Sequence, residues 1–179
     1  MTDYPITDTK IIFDSPRVRI VQDTVAHAGR RHEWFYIEGP ADAIACVAVT
    51  ADGQIVLTRQ YRHAVRAVIL DLPSGRVEPG ETLEGAIARE LEEETGYRAG
   101  RLELLCRYYP FPGAVRVAWN IFFATDLTPG RPHLDEGEEV DVALLPVADV
   151  LEMIRRGEVV DGSLQLGVLL AVQKGLIRA

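Results

Sequence analysis

The sequence predicts an α+β fold. Three observations predict it. Apolar and alternating runs of strand length recur along the chain, helical patterns interrupt them, and the two are mixed without the βαβ regularity of a parallel sheet. Turn signals punctuate these runs at Gly39-Pro40, Asp52-Gly53 and Pro79-Gly80.

Taken in order, Ile11-Ile12-Phe13 and Val18–Asp23 read as strands. Ala28-Gly29-Arg30 reads as a turn before a third strand, Glu33–Ile37. Gly39-Pro40 then closes a small antiparallel β appendage, residues 1–40, and a larger domain is expected over 41–179. Ala43–Thr50 is wholly apolar up to its end, as a buried strand requires. Asp52-Gly53 makes a hairpin with Gln54–Gln60, and Val68–Leu72 is a short further strand. Pro73-Ser74-Gly75 reads as a loop, and Glu78-Pro79-Gly80-Glu81 suits a type II turn. Thr82 caps a helix that runs to about Thr95 and stops at Gly96. Leu102–Tyr109, Val115–Asp126 and Val140–Leu145 read as strands, the last preceded by a polar loop over 128–139. Helices are expected over Val147–Arg156 and Ser163–Gly175.

Composition excludes some functions. The 179 residues are 47% apolar and 26% charged, enough for a sizeable core. With 19 basic and 27 acidic side chains, a net charge of −8, the chain is a poor candidate for wrapping nucleic acid, because phosphate contacts need a basic face. No run reaches membrane-spanning length, and Met1–Lys10 lacks the apolar core of a signal peptide. Cys46 and Cys106 sit among apolar neighbours and form no C-x-x-C pair, so both are expected as free, buried thiols. A cytoplasmic location follows as the expectation.

The helix after Thr82 breaks its own pattern. At 100° per residue, Ala86, Ile87 and Leu91 lie within about 80° of Leu83 and form a core-facing stripe. Glu90 and Glu94 lie within about 20° of Leu83, so two carboxylates continue that stripe, with Glu93 flanking it. A carboxylate there loses hydration, and the helix C-terminus repels it further. Such a conflict between local rules marks a functional site. Clustered carboxylates become stable around a hard divalent cation such as Mg²⁺ or Mn²⁺, which favours oxygen ligands. The structural alternative is ion pairing, for which Arg89 stands four residues before Glu93.

The spacing resolves the choice. Gly75-x5-Glu81-x7-Arg89-Glu90-Leu91-x-Glu93-Glu94-x-Gly96-Tyr97 resembles the Nudix box. A chance match of its fixed positions in one window is on the order of one in 10⁸, which rules out coincidence in a chain this short. The resemblance implies a Nudix fold, with a mixed sheet between helices and the box as loop–helix–loop. It implies that Glu90, Glu93 and Glu94 ligate Mg²⁺ or Mn²⁺, with the Ser74 carbonyl as a backbone ligand. Glu93 would also take part in catalysis, Arg89 would orient it or a neighbour, and Glu81, Gly75 and Gly96 would support the loops.

Within the family, Gln60-Tyr61-Arg62 followed by Leu72-Pro73-Ser74-Gly75 resembles the ADP-ribose pyrophosphatase branch. Pro112, sixteen residues past Gly96, is a further mark of it. The branch has Ala where Ser74 stands, and an acidic residue in the stretch occupied here by Ala114–Trp119, which contains Arg116 and no acid. The resemblance implies a homodimer built through the β appendage, which also helps to hold the adenine. Trp34, with Phe35 or Tyr36, would supply the stacking face, and Arg62, Arg76 and Pro112 would complete the substrate contacts. The branch carries a catalytic glutamate on a loop before the last strand; Glu136 is the first choice here and Glu138 the second. The expected reaction is hydrolysis of the diphosphate of ADP-ribose or a related nucleoside diphosphate sugar. The alternatives are another diphosphate (GDP-mannose, NADH or a dinucleoside polyphosphate) and a nucleotide-sensing module without catalysis.

Overall fold

The computed structural model describes residues 4–134, 137 and 139–178. The chain divides into two compact units, Met1–Asp42 with Tyr108–Ala118, and Ala43–Arg107 with Trp119–Ala179. The smaller unit thus takes in a second segment, which sequence patterning had run together with the larger domain.

The smaller unit is a four-stranded sheet in the order β1-β2-β3-β9. Its strands are β1 (Ile6–Asp14), β2 (Arg19–His27), β3 (Arg30–Glu38) and β9 (Val115–Arg116). β1, β2 and β3 are successive antiparallel neighbours, and β9 adds in parallel to the end of β3. Ala28 and Gly29, both at positive φ (50° and 73°), turn the chain between β2 and β3. That handedness matches the twist of the flanking strands. All nine residues of β1 are exposed.

The larger unit holds β4 (Ala43–Val49), β5 (Gln54–Arg62), β6 (Ala67–Asp71), β7 (Ser74–Arg76), β8 (Arg101–Tyr108), β10 (Trp119–Thr125) and β11 (Val140–Pro146). Their sheet follows the order β11-β5-β4-β10-β8, with β6 pairing β5 and β7 pairing β4. β4 and β10 run parallel, whereas β5 is antiparallel to β4 and β11 antiparallel to β5, so the sheet is mixed. Every residue of β4 is buried, as its unbroken apolar run requires of a strand covered on both faces.

The strand alternation assigns the two faces. Ile44, Cys46 and Ala48 of β4, with Phe122 and Ala124 of β10, cluster with Ala86, Ile87 and Leu91 of α1 (Leu83–Thr95). Val47 and Ile121, of opposite parity, lie against Gly167 of α3 (Gly162–Gln173). The sheet is therefore held between helices, as expected. α2 (Val147–Arg155) directly follows β11.

Two expectations are corrected. Val115–Asp126 is not one strand: β9 and β10 belong to different sheets and different units. An added Cβ on Gly39 would stand 2.6 Å from Val117 Cγ2, so these two residues of the smaller unit lie side by side. Of Pro73-Ser74-Gly75, expected as loop, Ser74 and Gly75 belong to the short strand β7, which pairs with Ala43–Ala45. Both cysteines are free; Cys46 is buried and Cys106 half-buried. Among the described residues, no helix is long and apolar enough to cross a membrane.

Gly167 tests the helix-on-sheet packing. An added Cβ would fall 2.7 Å from Val47 Cγ2 and 3.1 Å from Ile121 Cγ2, both rigid β-branched side chains of the sheet. Gly167→Val should destabilise the protein by about 1–3 kcal/mol through overpacking. Thermal denaturation reads this; an unchanged Tm would mean that α3 does not rest on the sheet at this point.

Candidate active site

The candidate site is built around α1. Thr82 caps it, accepting from Gly85 N through its side chain, and Gly96 ends it in the left-handed region at φ 76°. An added Cβ on Gly96 would stand within 3 Å of the backbone of Gly130, Arg131 and Pro132, so glycine is required there for space as well as for conformation.

Arg89 organises the carboxylates. Its Nε and Nη2 donate to Glu81 Oε1 (2.9 Å) and Oε2 (3.0 Å). Its Nη1 donates to Glu90 Oε1 (3.0 Å) and Glu93 Oε2 (2.9 Å), and its Nη2 also reaches the Arg76 carbonyl (3.2 Å). A guanidinium has five N–H donors, and all five are engaged. Arg89 is thus an orienting group, with no donor left for a ligand. Its hydrogen bonds with Glu81 raise its pKa above the ordinary arginine value and hold Glu81 at about 2, where the Glu78 amide also helps. Glu81 anchors the loop as expected, taking that amide at 3.0 Å.

The other glutamates meet the loop before the helix. Gly75 gives Glu90 its room: any Cβ on Gly75 would overlap the Glu90 carboxylate. Burial pushes the Glu90 pKa up against the opposing pull of Arg89. Glu94 is buried, with 6% exposure, and its Oε2 accepts from the Ser74 amide at 2.9 Å. Burial pushes its pKa to about 8, partly countered by that amide and raised further by Glu90. Glu93 is half-buried. At β7, Glu94 thus meets the backbone of Ser74 and Glu90 lies against Gly75, while Arg89 joins Glu90 to Glu93.

These donors suit a hard divalent cation. The side chains offer carboxylate oxygens, and Glu94 is a buried carboxylate that neighbouring groups leave largely uncompensated. Among the described residues, no three His, Cys, Asp or Glu side chains form a ready-made cage. Few protein carboxylates completed by water and phosphate oxygens is the usual Mg²⁺ arrangement.

A second charged cluster adjoins the first. Arg62 of β5 donates from Nε (3.2 Å) and Nη2 to Asp71 Oδ2 at the end of β6. Asp71 is only 3% exposed. Asp161, which caps α3 by accepting from Leu164 N at 2.7 Å, has its pKa pushed up by burial and by Asp71, and lowered by Arg62. Asp71 and Asp161 escaped the reading of the sequence. The available signals were a lone acid ending the apolar Val68-Ile69-Leu70 run, and Asp-Gly-Ser before a helix. Arg76, at the end of β7, is exposed.

Trp34 and Pro112 lie in the smaller unit and line one cavity there, of about 460 Å³, with Asp23, Tyr36, Tyr109 and Arg116. Trp34 itself is 56% exposed. Arg116 pairs with Glu38 at 3.2 Å. Glu136 and Glu138 lie outside the described residues. The segment before them docks on the box helix, with His133 N donating to the Glu93 carbonyl at 2.8 Å.

The spacing from Gly75 to Gly96 has thus closed into a loop–helix–loop with its acidic side chains gathered at one end. The NUDIX domain family model matches residues 39–162. The chain belongs to the Nudix family. It is a Nudix hydrolase. An ADP-ribose pyrophosphatase of Bacillus subtilis (strain 168) is 33% identical over 163 residues, covering 86% of this chain and 88% of the relative. A methanol dehydrogenase activator of Bacillus methanolicus is 30% identical over 163 residues, covering 89% and 88%. A crystal structure of an ADP compounds hydrolase superposes with a TM-score of 0.89 over 100% of this chain and 98% of that one. At 22% identity, it shares the Nudix fold.

The Asp161 cluster gives this Nudix domain a pH signature. Below the ordinary aspartate pKa, the group is neutral whether folded or unfolded. As pH rises through the raised folded value, the unfolded chain has already released the proton that the folded one retains, so stability falls across that window. Asp161→Asn keeps a capping oxygen and removes the titration. Its Tm should match wild type near pH 4 and exceed it at pH 7; a variant less stable at pH 7 than at pH 4, relative to wild type, would contradict the assignment.

Proposed function

We propose that the protein hydrolyses the diphosphate of ADP-ribose or a related nucleoside diphosphate sugar, giving AMP (or another nucleoside monophosphate) and a sugar phosphate, with Mg²⁺ or Mn²⁺ as cofactor. The observation that carries this reading is the pair of box carboxylates held at β7, Glu94 on the Ser74 amide and Glu90 against Gly75, with Arg89 linking Glu90 to Glu93 and saturated by its own carboxylates and one carbonyl. The relationship to the Bacillus subtilis ADP-ribose pyrophosphatase supports the substrate class.

In this reading Glu90, Glu93, Glu94 and the Ser74 carbonyl hold the cation. A divalent ion in such a site supplies charge neutralisation for a diphosphate and a lowered pKa for water. Arg89 keeps Glu90 and Glu93 at fixed orientation, and Glu81 keeps Arg89. Arg76, exposed at the end of β7, offers a guanidinium to phosphate oxygens. The acidic loop, through Glu136 or Glu138, supplies the general base. The docking of His133 on the Glu93 carbonyl supports a role for that loop at the helix.

In the smaller unit, the aromatic cavity is proposed to take a nucleobase, with Trp34 as the stacking face and Pro112 on its rim. A homodimer is proposed through β1. Its exposed Ile6, Ile11, Ile12 and Phe13 form an apolar surface on a strand that pairs only with β2 among the described strands. A cytoplasmic site of action goes with this reading, in keeping with free thiols and a nucleotide substrate.

A second reading keeps the metal site and changes the substrate. Arg116 stands where the ADP-ribose branch carries an acid, and it lines the aromatic cavity. GDP-mannose, NADH and dinucleoside polyphosphates belong in the same assay for that reason. A binding module without catalysis is disfavoured, because every box carboxylate is present.

The test is Mg²⁺-dependent hydrolysis of this panel with products separated by chromatography. AMP and ribose 5-phosphate should form fastest from ADP-ribose, and Glu94→Gln should abolish turnover while preserving the circular dichroism spectrum. Full activity in Glu94→Gln would overturn the metal-ligand assignment, and no turnover of any compound by wild type would overturn the enzymatic one.

A further inference from the structure

Arg62 presents a choice that sequence patterning does not resolve. A half-exposed arginine near a phosphate-handling site invites assignment to the substrate. Its hydrogen bonds point elsewhere. Two of its three nitrogens donate to one oxygen, Asp71 Oδ2, and that carboxylate is almost fully buried.

The other oxygen of Asp71 matters as much. Oδ1 accepts from the Leu72 amide at 2.9 Å. Leu72 is fully buried, and the following residues are pinned in turn: the Pro73 carbonyl accepts from Cys46 N of β4 at 3.0 Å, and Ser74 N donates to Glu94 at 2.9 Å. From Asp71 to Ser74, the chain is tied successively to β5, β4 and α1. A backbone carbonyl cannot be aimed by its own side chain. It is aimed by whatever fixes the peptide units around it, and among the described residues the ionic tie on this segment is Arg62–Asp71.

We propose that Arg62 and Asp71 act as a positioning pair, which fixes the Ser74 backbone and Glu94 for the divalent cation, and that Arg62 does not grip the substrate. This rests on the metal site described above and assigns two residues outside the box to it. Partners of this kind, one step removed from the ligands, typically change metal affinity by about 10–100-fold when lost.

The test measures Mn²⁺ binding to the full chain without nucleotide, by electron paramagnetic resonance or calorimetry, at a temperature well below each Tm. Arg62→Gln and Asp71→Asn should each weaken Mn²⁺ by about tenfold or more. The double variant should be no weaker than the worse single one, because the two residues form one unit. Arg62→Lys, which keeps the charge, should recover part of the loss. At saturating metal, the KM of the nucleotide substrate should stay within about twofold of wild type for Asp71→Asn, the change tolerated for a group that makes no substrate contact.

Wild-type Mn²⁺ affinity in both single variants, whatever their Tm, overturns the proposal, because the pair would then be merely structural. A raised KM confined to Arg62→Gln, with Asp71→Asn unaffected, overturns it in favour of substrate binding. Failure of wild type itself to bind Mn²⁺ removes the metal reading and this proposal together, which separates that failure from the other two.

Discussion

The structure depends on carboxylates that a helix would ordinarily keep in water. Glu90 and Glu94 occupy the stripe of α1 that Ala86, Ile87 and Leu91 use to pack on the sheet. Glu94 is buried among these apolar neighbours, in the last turn, where the helix dipole opposes it. No rearrangement of α1 relieves this, because rotating the helix would expose the apolar residues on the same face. The surrounding parts accommodate the charge instead. Gly75 clears space for Glu90, Ser74 offers its amide to Glu94, and Arg89 spends every donor on its own carboxylates and one carbonyl.

This explains why the loop before the helix is as constrained as the helix. The segment from Asp71 to Arg76 carries a buried aspartate paired with a half-exposed arginine, a buried leucine, a three-residue strand and the glycine under Glu90. A loop with this many anchors behaves as part of the sheet. Its polar backbone groups reach the interior already satisfied, which is the condition for bringing peptide dipoles and carboxylates into one low-dielectric place.

Much of this was legible in the sequence, for identifiable reasons. The limits of α1 were plain because Thr82 and Gly96 supply the cap and the stop by local chemistry alone. β4 was plain because a strand covered on both faces has no polar alternation to confuse it. The core-facing glutamates were legible because they violate a helical pattern. What escaped was non-local. β7 has no propensity signal and exists because β5 pairs β4 only at Ala48 and Val49, which leaves Ala43–Ala45 for β7. The break between β9 and β10 is invisible in Val115–Thr125, whose residues all suit a strand; only the division of the chain into two units separates them. Asp71 and Asp161 are ninety residues apart in sequence and share Arg62 only through the fold. The loop glutamates Glu136 and Glu138 stand outside the described residues, and their roles rest on the family pattern.

The central claim is that the buried carboxylates of α1 exist to hold a divalent cation. The most direct measurement is the Tm of the chelator-treated protein at pH 7.5, with and without Mg²⁺ or Mn²⁺ and without nucleotide. A cation that binds only the folded state at about a hundredfold excess over Kd adds roughly 2.7 kcal/mol. For a chain of this size, that raises Tm by about 5–10 °C. The account predicts such a rise, and its loss in Glu94→Gln. A Tm that ignores both metals, or rises equally in the variant, would contradict it.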